Sequence, residues 1–318
     1  MFTLILSDRI IYNQKEFLDF LIASQKNPIN ISTNSEGACL SAYGVYELIE
    51  QFEYSDVTIY TSNMLELHNR YTIKKQHGLL WFNIKKCDYA DSHMWNQTKI
   101  FGCFYNRPTW YRIGLAANLE YNFKEISLIN FRRDPMDENQ RKFFDVNRLF
   151  KYHPDSFKLF SQVVDRWPCT LENHNNFRVG TSTDTLTTQL SSFYKDFLID
   201  IVAETWVEGT TFAPTEKTVR PMLLKKPFII FASQDYLCYL RQLGFKTFQT
   251  PESTFWSEDY DGYEGRERYI RILALIDELA KKSKTELEEM YQAMQPILDH
   301  NYNLLVTQSY NKTITKIV

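Results

Sequence analysis

The stretch TTFAPTEKTVRPMLLKKPFIIFA, from Thr210 to Ala232, decides how the rest of the chain is read. A polar triplet, Thr215-Glu216-Lys217, stands at the head of a helix-length segment, and the apolar run KPFIIFA (Lys226–Ala232) has the length and composition of a buried strand. Just upstream, LIDIVAET (Leu198–Thr205) reads as another strand, one that ends in an acid. Downstream, DYLCYLRQLG (Asp235–Gly244) reads as a short helix closed by a glycine, and FKTF follows as the start of a further strand. Strand, helix, strand, helix in this order specifies βαβ units and a parallel sheet covered by helices on its faces.

The same alternation extends toward the N-terminus. KIFGCFY (Lys99–Tyr105) is a strand, NRPTWYR (Asn106–Arg112) a turn around Pro108, IGLAANLEY a helix and EISLINF (Glu125–Phe131) the next strand. The polar, aromatic segment from about Arg132 to Val179 has no clear period. Ahead of Lys99 a separate series appears: TLIL (Thr3–Leu6), the helix KEFLDFLIAS, PINIST (Pro28–Thr33), a helix over Ser35–Phe52 capped by Ser35, and DVTIYTS (Asp56–Ser62). Two α/β halves meeting near residue 97 account for this pattern. The expected organisation is an N-terminal α/β domain over residues 1–97, a second α/β domain over 98–282, and a C-terminal helix and tail over 283–318. Glu264–Lys282 is a strongly amphipathic helix, TELEEMYQAMQPILDH a second one interrupted by Pro296, and Asn303–Val318 a tail or final strand.

Composition narrows the function classes. The chain has 318 residues, 44% of them hydrophobic and 15% aromatic, enough for sizeable cores and against global disorder. A net charge of -3 gives no overall attraction to nucleic acid, although a local basic groove around Arg70–Lys75 and Lys85–Lys86 remains open to one. The five cysteines form no C-x-x-C pair and are widely spaced, which argues against a disulfide framework or zinc site and for the reducing cytosol. No apolar run approaches the ~20 residues of a membrane helix. No P-loop, G-x-G-x-x-G, G-x-S-x-G or H-E-x-x-H pattern occurs.

In open α/β sheets ligands sit beyond the carboxyl ends of the strands, and a helix N-terminus there offers free N–H groups and partial positive charge suited to phosphate. Lys217 at that place can neutralise a diphosphate, and Glu216 can accept hydrogen bonds from ribose hydroxyls. The plainer alternative makes Thr215 a cap, Glu216 an acid favoured by the helix dipole, and Lys217 a solvated base.

The ordered series resembles the nucleotide-sugar half of GT-B glycosyltransferases, particularly the fucosyltransferase-like group and a set of virus- and phage-encoded glycosyltransferase-like proteins. Their pattern TEKT-x-x-P-x-x-x-K-x-PF, then Y-L-x-x-LGF-K-T-F, is matched here by TEKTVRPMLLKKPF and YLRQLGFKTF. The match covers Leu198–Tyr263, roughly a fifth of the chain. The resemblance implies two Rossmann-like domains facing a cleft (GT-B-like), with C-terminal helices crossing back. It implies transfer of a sugar from a nucleotide-diphosphate sugar to an acceptor hydroxyl, with Glu216 on the ribose, Lys217 on the diphosphate, and Thr215 and Glu204 beside them. FGCFYNRPTWYRIGLAANL resembles the start of the same domain, which places Arg107 or Arg112 on the diphosphate from across the cleft, where a guanidinium can bind phosphate in bidentate fashion. The alternatives are an Arg107 paired with an acid and an Arg112 on a solvated helix face.

Such transfer needs a base for the acceptor proton, expected from the N-terminal half. Glu36 is the first candidate, with an ordinary first-turn acid as its alternative reading; His68 and His93 are weaker candidates. The Asp259-x-Asp261 pair resembles a metal-binding D-x-D, but it precedes a helix where acids cap and turn, so neither a metal nor a cofactor beyond the nucleotide sugar is expected. The acceptor is a glycan or a modified DNA base; a non-catalytic protein with a degenerate GT-B fold is the remaining alternative. The compartment expected is the cytoplasm, the host's if the chain is viral. The oligomeric state is open.

Overall fold

The computed structural model describes residues 2–6, 14–33, 37–75, 94–131, 146–167, 169, 192–249 and 254–307. Two four-stranded parallel sheets organise it. The first contains β1 (Phe2–Ile5), β2 (Ile29–Ser32), β3 (Val57–Thr61) and β4 (Thr72–Lys75), side by side in chain order. In β2 and β3 buried and half-buried residues alternate, the period-2 signature of a sheet whose two faces meet different surroundings. The buried face sets Ile29, Ile31, Val57 and Ile59 against Phe17 and Leu21 of α1 (Lys15–Ser24) and Val45 and Ile49 of α2 (Val45–Gln51).

The second sheet contains β5 (Lys99–Tyr105), β6 (Ser127–Phe131), β7 (Phe197–Ala203) and β8 (Phe228–Phe231) in the order β6-β5-β7-β8. Every residue of β7 and β8 is buried. Strands covered on both faces read as unbroken apolar runs, which is why LIDIVA and FIIF carry almost no polar positions. The helices of this half are α3 (Trp110–Asn122), α4 (Val146–Tyr152), α5 (Pro154–Val163), α6 (Glu216–Leu223), α7 (Tyr236–Gln242), α8 (Gly265–Ala280) and α9 (Lys284–Val306). α9 packs along α6, the helix that begins with the Glu216-Lys217 pair.

The structure revises five sequence expectations, one of them at the C-terminus, where Asn303–Val306 still belong to α9 rather than to a tail or final strand. The helix expected over Ser35–Phe52 begins only at Val45: Gly44 takes a left-handed φ of 68°, and Gly37–Cys39 are irregular backbone ahead of a short 3-10 turn at Ser41–Tyr43. Asn106–Arg112 is turn only as far as Thr109, so Arg112 belongs to the first turn of α3. FKTF starts no strand; Gln249 makes a single bridge to Thr254. Pro296 does not interrupt α9, because it and Gln292, whose carbonyl loses its partner, lie on the exposed side while Met294, Ile297 and Leu298 stay buried. Ser35, Glu36, Lys85, Lys86, His93 and the residues after Thr307 lie outside the described residues.

The two halves are joined by the loop between β7 and α6. Trp206 is buried in the core of the first half and meets Tyr43 edge-on at 5.2 Å. Asn63, just past β3, donates to the carbonyl of Thr210 (2.9 Å) and accepts from the N–H of Phe212 (2.9 Å), while the N–H of Met64 donates to the Phe212 carbonyl (3.0 Å). The Thr211 hydroxyl donates to the Gly37 carbonyl (2.5 Å). Gly37 has a left-handed φ of 63°, and a Cβ there would stand 2.8 Å from the Asn63 nitrogen and press on the Ala213 methyl. Only glycine allows this approach without strain.

Candidate functional site

The chain enters the second sheet at β5, moves to β6 on one side, then returns to β7 on the other. The strand order therefore reverses between β5 and β7, and the crevice beyond their carboxyl ends is the place where open α/β sheets take ligands. Two loops flank it: Asn106–Thr109 after β5 and Glu204–Thr215 after β7.

Thr215 is the N-cap of α6; its hydroxyl accepts from the Lys217 N–H at 3.3 Å. The same hydroxyl donates to Glu204 Oε2 at 2.6 Å. Glu204 is 2% exposed. It also accepts from the backbone N–H groups of Thr215 (3.1 Å) and Thr205 (3.2 Å), from the Thr218 hydroxyl, and from Tyr236 Oη (3.3 Å). A buried carboxylate is tolerated when its lone pairs are filled in this way. Glu204 is thus committed to holding the start of α6, and its expected place beside a bound nucleotide becomes one of supporting Thr215.

The Lys217 ammonium has three acceptors: Glu216 Oε1 at 2.7 Å, Thr205 Oγ1 at 3.1 Å and Thr215 Oγ1 at 3.2 Å. Both charged side chains are about four-fifths buried, so the plain reading of a freely solvated Lys217 does not hold. Burial is the largest single influence and would raise the Glu216 pKa, but the Lys217 ammonium, the Glu216 backbone N–H and Arg220 together hold the carboxyl below the usual glutamate value.

From the other side, Tyr111 Oη donates to the carbonyls of Glu204 (2.9 Å) and Thr205 (3.1 Å). Arg112, 2% exposed, donates through one terminal nitrogen to the carbonyls of Ala203 (3.0 Å) and Glu204 (2.9 Å). Its Nε is buried with no acceptor among the described residues. Arg112 therefore does not lie on a solvated helix face: one terminal nitrogen of its guanidinium holds the carbonyls at the β7 terminus. Arg107 is half-buried in the β5–α3 loop, its carbonyl accepting from the Thr109 N–H at 3.0 Å. The structure therefore brings Arg112, Glu204, Thr215, Glu216 and Lys217 together around the turn at Thr205, with Arg107 on the adjoining loop; Glu36 lies outside the described residues.

Three residues of this site were not anticipated. Thr205 and Thr218 look like ordinary neighbours of the TEK triplet, and Tyr236 reads as a core aromatic. A second buried acid, Glu66, was likewise missed. It follows β3 and accepts from Tyr46 Oη (2.7 Å), Asn63 Nδ2 (3.0 Å) and the Leu40 N–H (3.2 Å), and burial raises its pKa despite those donors. His68 stacks against the rings of both Tyr46 (4.2 Å) and Tyr71 (4.5 Å), which also stack on each other at 6.1 Å. Asp261 accepts from the backbone N–H groups of Leu237 (2.9 Å) and Cys238 (3.0 Å) and from Arg268 (3.0 Å), capping α7.

Among the described residues, no three of His, Cys, Asp or Glu are grouped to hold a metal, and no helix is long and apolar enough to cross a membrane. No family model, no curated protein and no solved structure matches the chain.

Proposed function

We propose that the chain is a glycosyltransferase of GT-B architecture that moves a sugar from a nucleotide-diphosphate sugar to an acceptor hydroxyl. The observation that carries this reading is the convergence on Thr205: Lys217 from the first turn of α6 and Tyr111 from the first turn of α3 both bond to it, at the reversal of strand order. Two helix N-termini and a nearly buried ammonium at one crevice favour a ligand with linked phosphates. In the transfer, the bond from the anomeric carbon to the diphosphate oxygen breaks and the acceptor oxygen takes its place. Negative charge grows on the departing diphosphate, where Lys217 and the helix N–H groups lie, and Arg107 on the β5–α3 loop adds to them. The acceptor proton passes to a base of the N-terminal half, the role the sequence gives to Glu36.

The test is a thermal-shift panel of ADP, GDP, UDP, CDP and dTDP. At least one should raise the melting temperature in a concentration-dependent way, since a ligand at a hundred times its Kd adds about 2.7 kcal/mol. Lys217→Ala should abolish that rise while leaving the unliganded transition in place. No shift with any of the five would refute the reading.

A further inference from the structure

The outer strand of the first sheet, β4, carries positive charge that no acid answers. β1 to β4 follow one another in chain order, so right-handed crossovers bring α1 and α2 to a single face, the one that buries Ile31 and Ile59. The alternate residues of β3 and β4 turn the other way: Thr58 pairs with Thr72 and Tyr60 with Lys74, half-buried on β3 and exposed on β4. The Lys74 ammonium lies 5.3 Å from the centre of the Tyr60 ring, and the guanidinium of exposed Arg70 stands 5.8 Å from that of Tyr71. Neither cation has an acid within ion-pair distance among the described residues. Lys75, the next residue, is committed: its ammonium donates to the carbonyls of Asn63 (3.0 Å) and Glu66. Through Asn63, which bonds Thr210, this edge adjoins the loop that leads into the crevice.

We propose that this edge is a nucleic-acid-binding surface, with Arg70 and Lys74 on two phosphates of a single strand and Tyr60 as the platform for one base. The proposal goes beyond the sugar-transfer reading and does not rest on it. The chain's net charge of -3 gives no general pull on a polyanion, so attraction must come from a local patch such as this one. Lys74 has a flexible stem; when its ammonium moves to a phosphate, the face of Tyr60 that it covers becomes available to a base. A ring beside an unneutralised cation separates nucleic acid from an acidic protein segment, which offers carboxylates but nothing to stack. Thr58 and Thr72, paired on the same face, add hydroxyls that can donate to phosphate or sugar oxygens.

Fluorescence anisotropy of labelled oligothymidylate with the full chain, from about 50 to about 200 mM KCl, tests this. Two phosphate contacts on a single strand give log K a slope of about −1.4 against log salt, an affinity loss of about sevenfold over that range. Arg70→Gln combined with Lys74→Gln should bring the slope close to zero and keep the melting temperature. Lys158→Gln combined with Lys281→Gln, exposed lysines of the second half that pair with acids, should leave the slope unchanged. Tyr60→Leu should weaken binding about fivefold at constant slope, the low end of one base–ring stack, and Tyr60→Phe should restore it. Absence of binding at about 50 mM KCl, or a slope that survives the loss of Arg70 and Lys74, would overturn the proposal. So would polyglutamate or phosphatidylserine vesicles binding as tightly as the oligonucleotide, the mark of a surface that reads charge alone. Nucleoside-diphosphate binding at Lys217 has no part in these outcomes, so either reading can fail without the other.

Discussion

Lys226 makes a stringent test of the physics of this fold. It lies ahead of β8, is fully buried, and its ammonium nitrogen has no hydrogen-bond partner among the described residues. It faces the rings of Tyr291 at 5.4 Å and Phe197 at 5.9 Å. Desolvation pushes its pKa from the ordinary 10.5 down to about 7, and Asp196 opposes the shift only in part. The unfolded chain keeps this proton up to about pH 10.5, whereas the folded chain releases it above about pH 7. Between those values the unfolded state binds more protons, so stability rises with pH; below pH 7 both states are charged and the full cost is present. A drop from 10.5 to about 7 corresponds to about 5 kcal/mol at 1.36 kcal/mol per pH unit. Lys226→Met keeps the aliphatic stem against the two rings and removes the charge. It should stabilise the protein by several kcal/mol at pH 6, with the gain shrinking steadily toward pH 10. Guanidinium unfolding of both proteins at pH 6, 7.5, 9 and 10 measures the difference. A gain that does not vary with pH, or a variant less stable than wild type at pH 6, would refute the reasoning.

Asn63→Ala gives up four side-chain hydrogen bonds, with Thr210, Phe212, Glu66 and Leu65; the loss should be about 4 kcal/mol, near 1 kcal/mol for each, and calorimetry should show the heat-absorption peak broaden or split. Trp206→Ala empties a core position of the first half and should cost about 3–5 kcal/mol, read from the shift in the guanidinium midpoint. Gly37→Ala, strained by its left-handed φ and by contact with Ala213 and Asn63, should lower the melting temperature by several degrees, more than Gly262→Ala, whose added methyl meets nothing.

The second sheet is the most legible part of the chain. KIFGCFY spans the observed β5, and LIDIVA and FIIF lie within or against β7 and β8, because strands covered on both faces must be unbroken apolar runs. The Ser35–Phe52 helix was misread because Gly37 and Gly44 look like tolerated helix glycines until their neighbours are known; contact with Asn63 and Ala213 sets the backbone at Gly37. Thr215 as a cap of α6 was legible from spacing, since a Thr ahead of an amphipathic segment satisfies nearby N–H groups. What Arg112 and Glu204 do was not. Their partners are the β7 terminus and residues of α6 and α7, and a one-dimensional pattern carries no signal for pairings such as Asn63 with Thr210, 147 positions apart. Lys226 was hidden for the opposite reason: lysine reads as solvated, and the rings of Tyr291 in α9 and Phe197 in β7 cover it in the folded chain.

The segment between Glu204 and Thr215 has two employments at once. Its first and last residues shape the crevice around Lys217, and its middle is anchored among the side chains of the other half through Trp206, Thr210 and Phe212. Excising the first 97 residues would therefore not liberate an autonomous second half. The truncated remainder would keep its strands but expose the Trp206 indole to solvent and lose the moorings of the ribbon leading into α6, so the two halves are matched components of one machine rather than interchangeable cassettes.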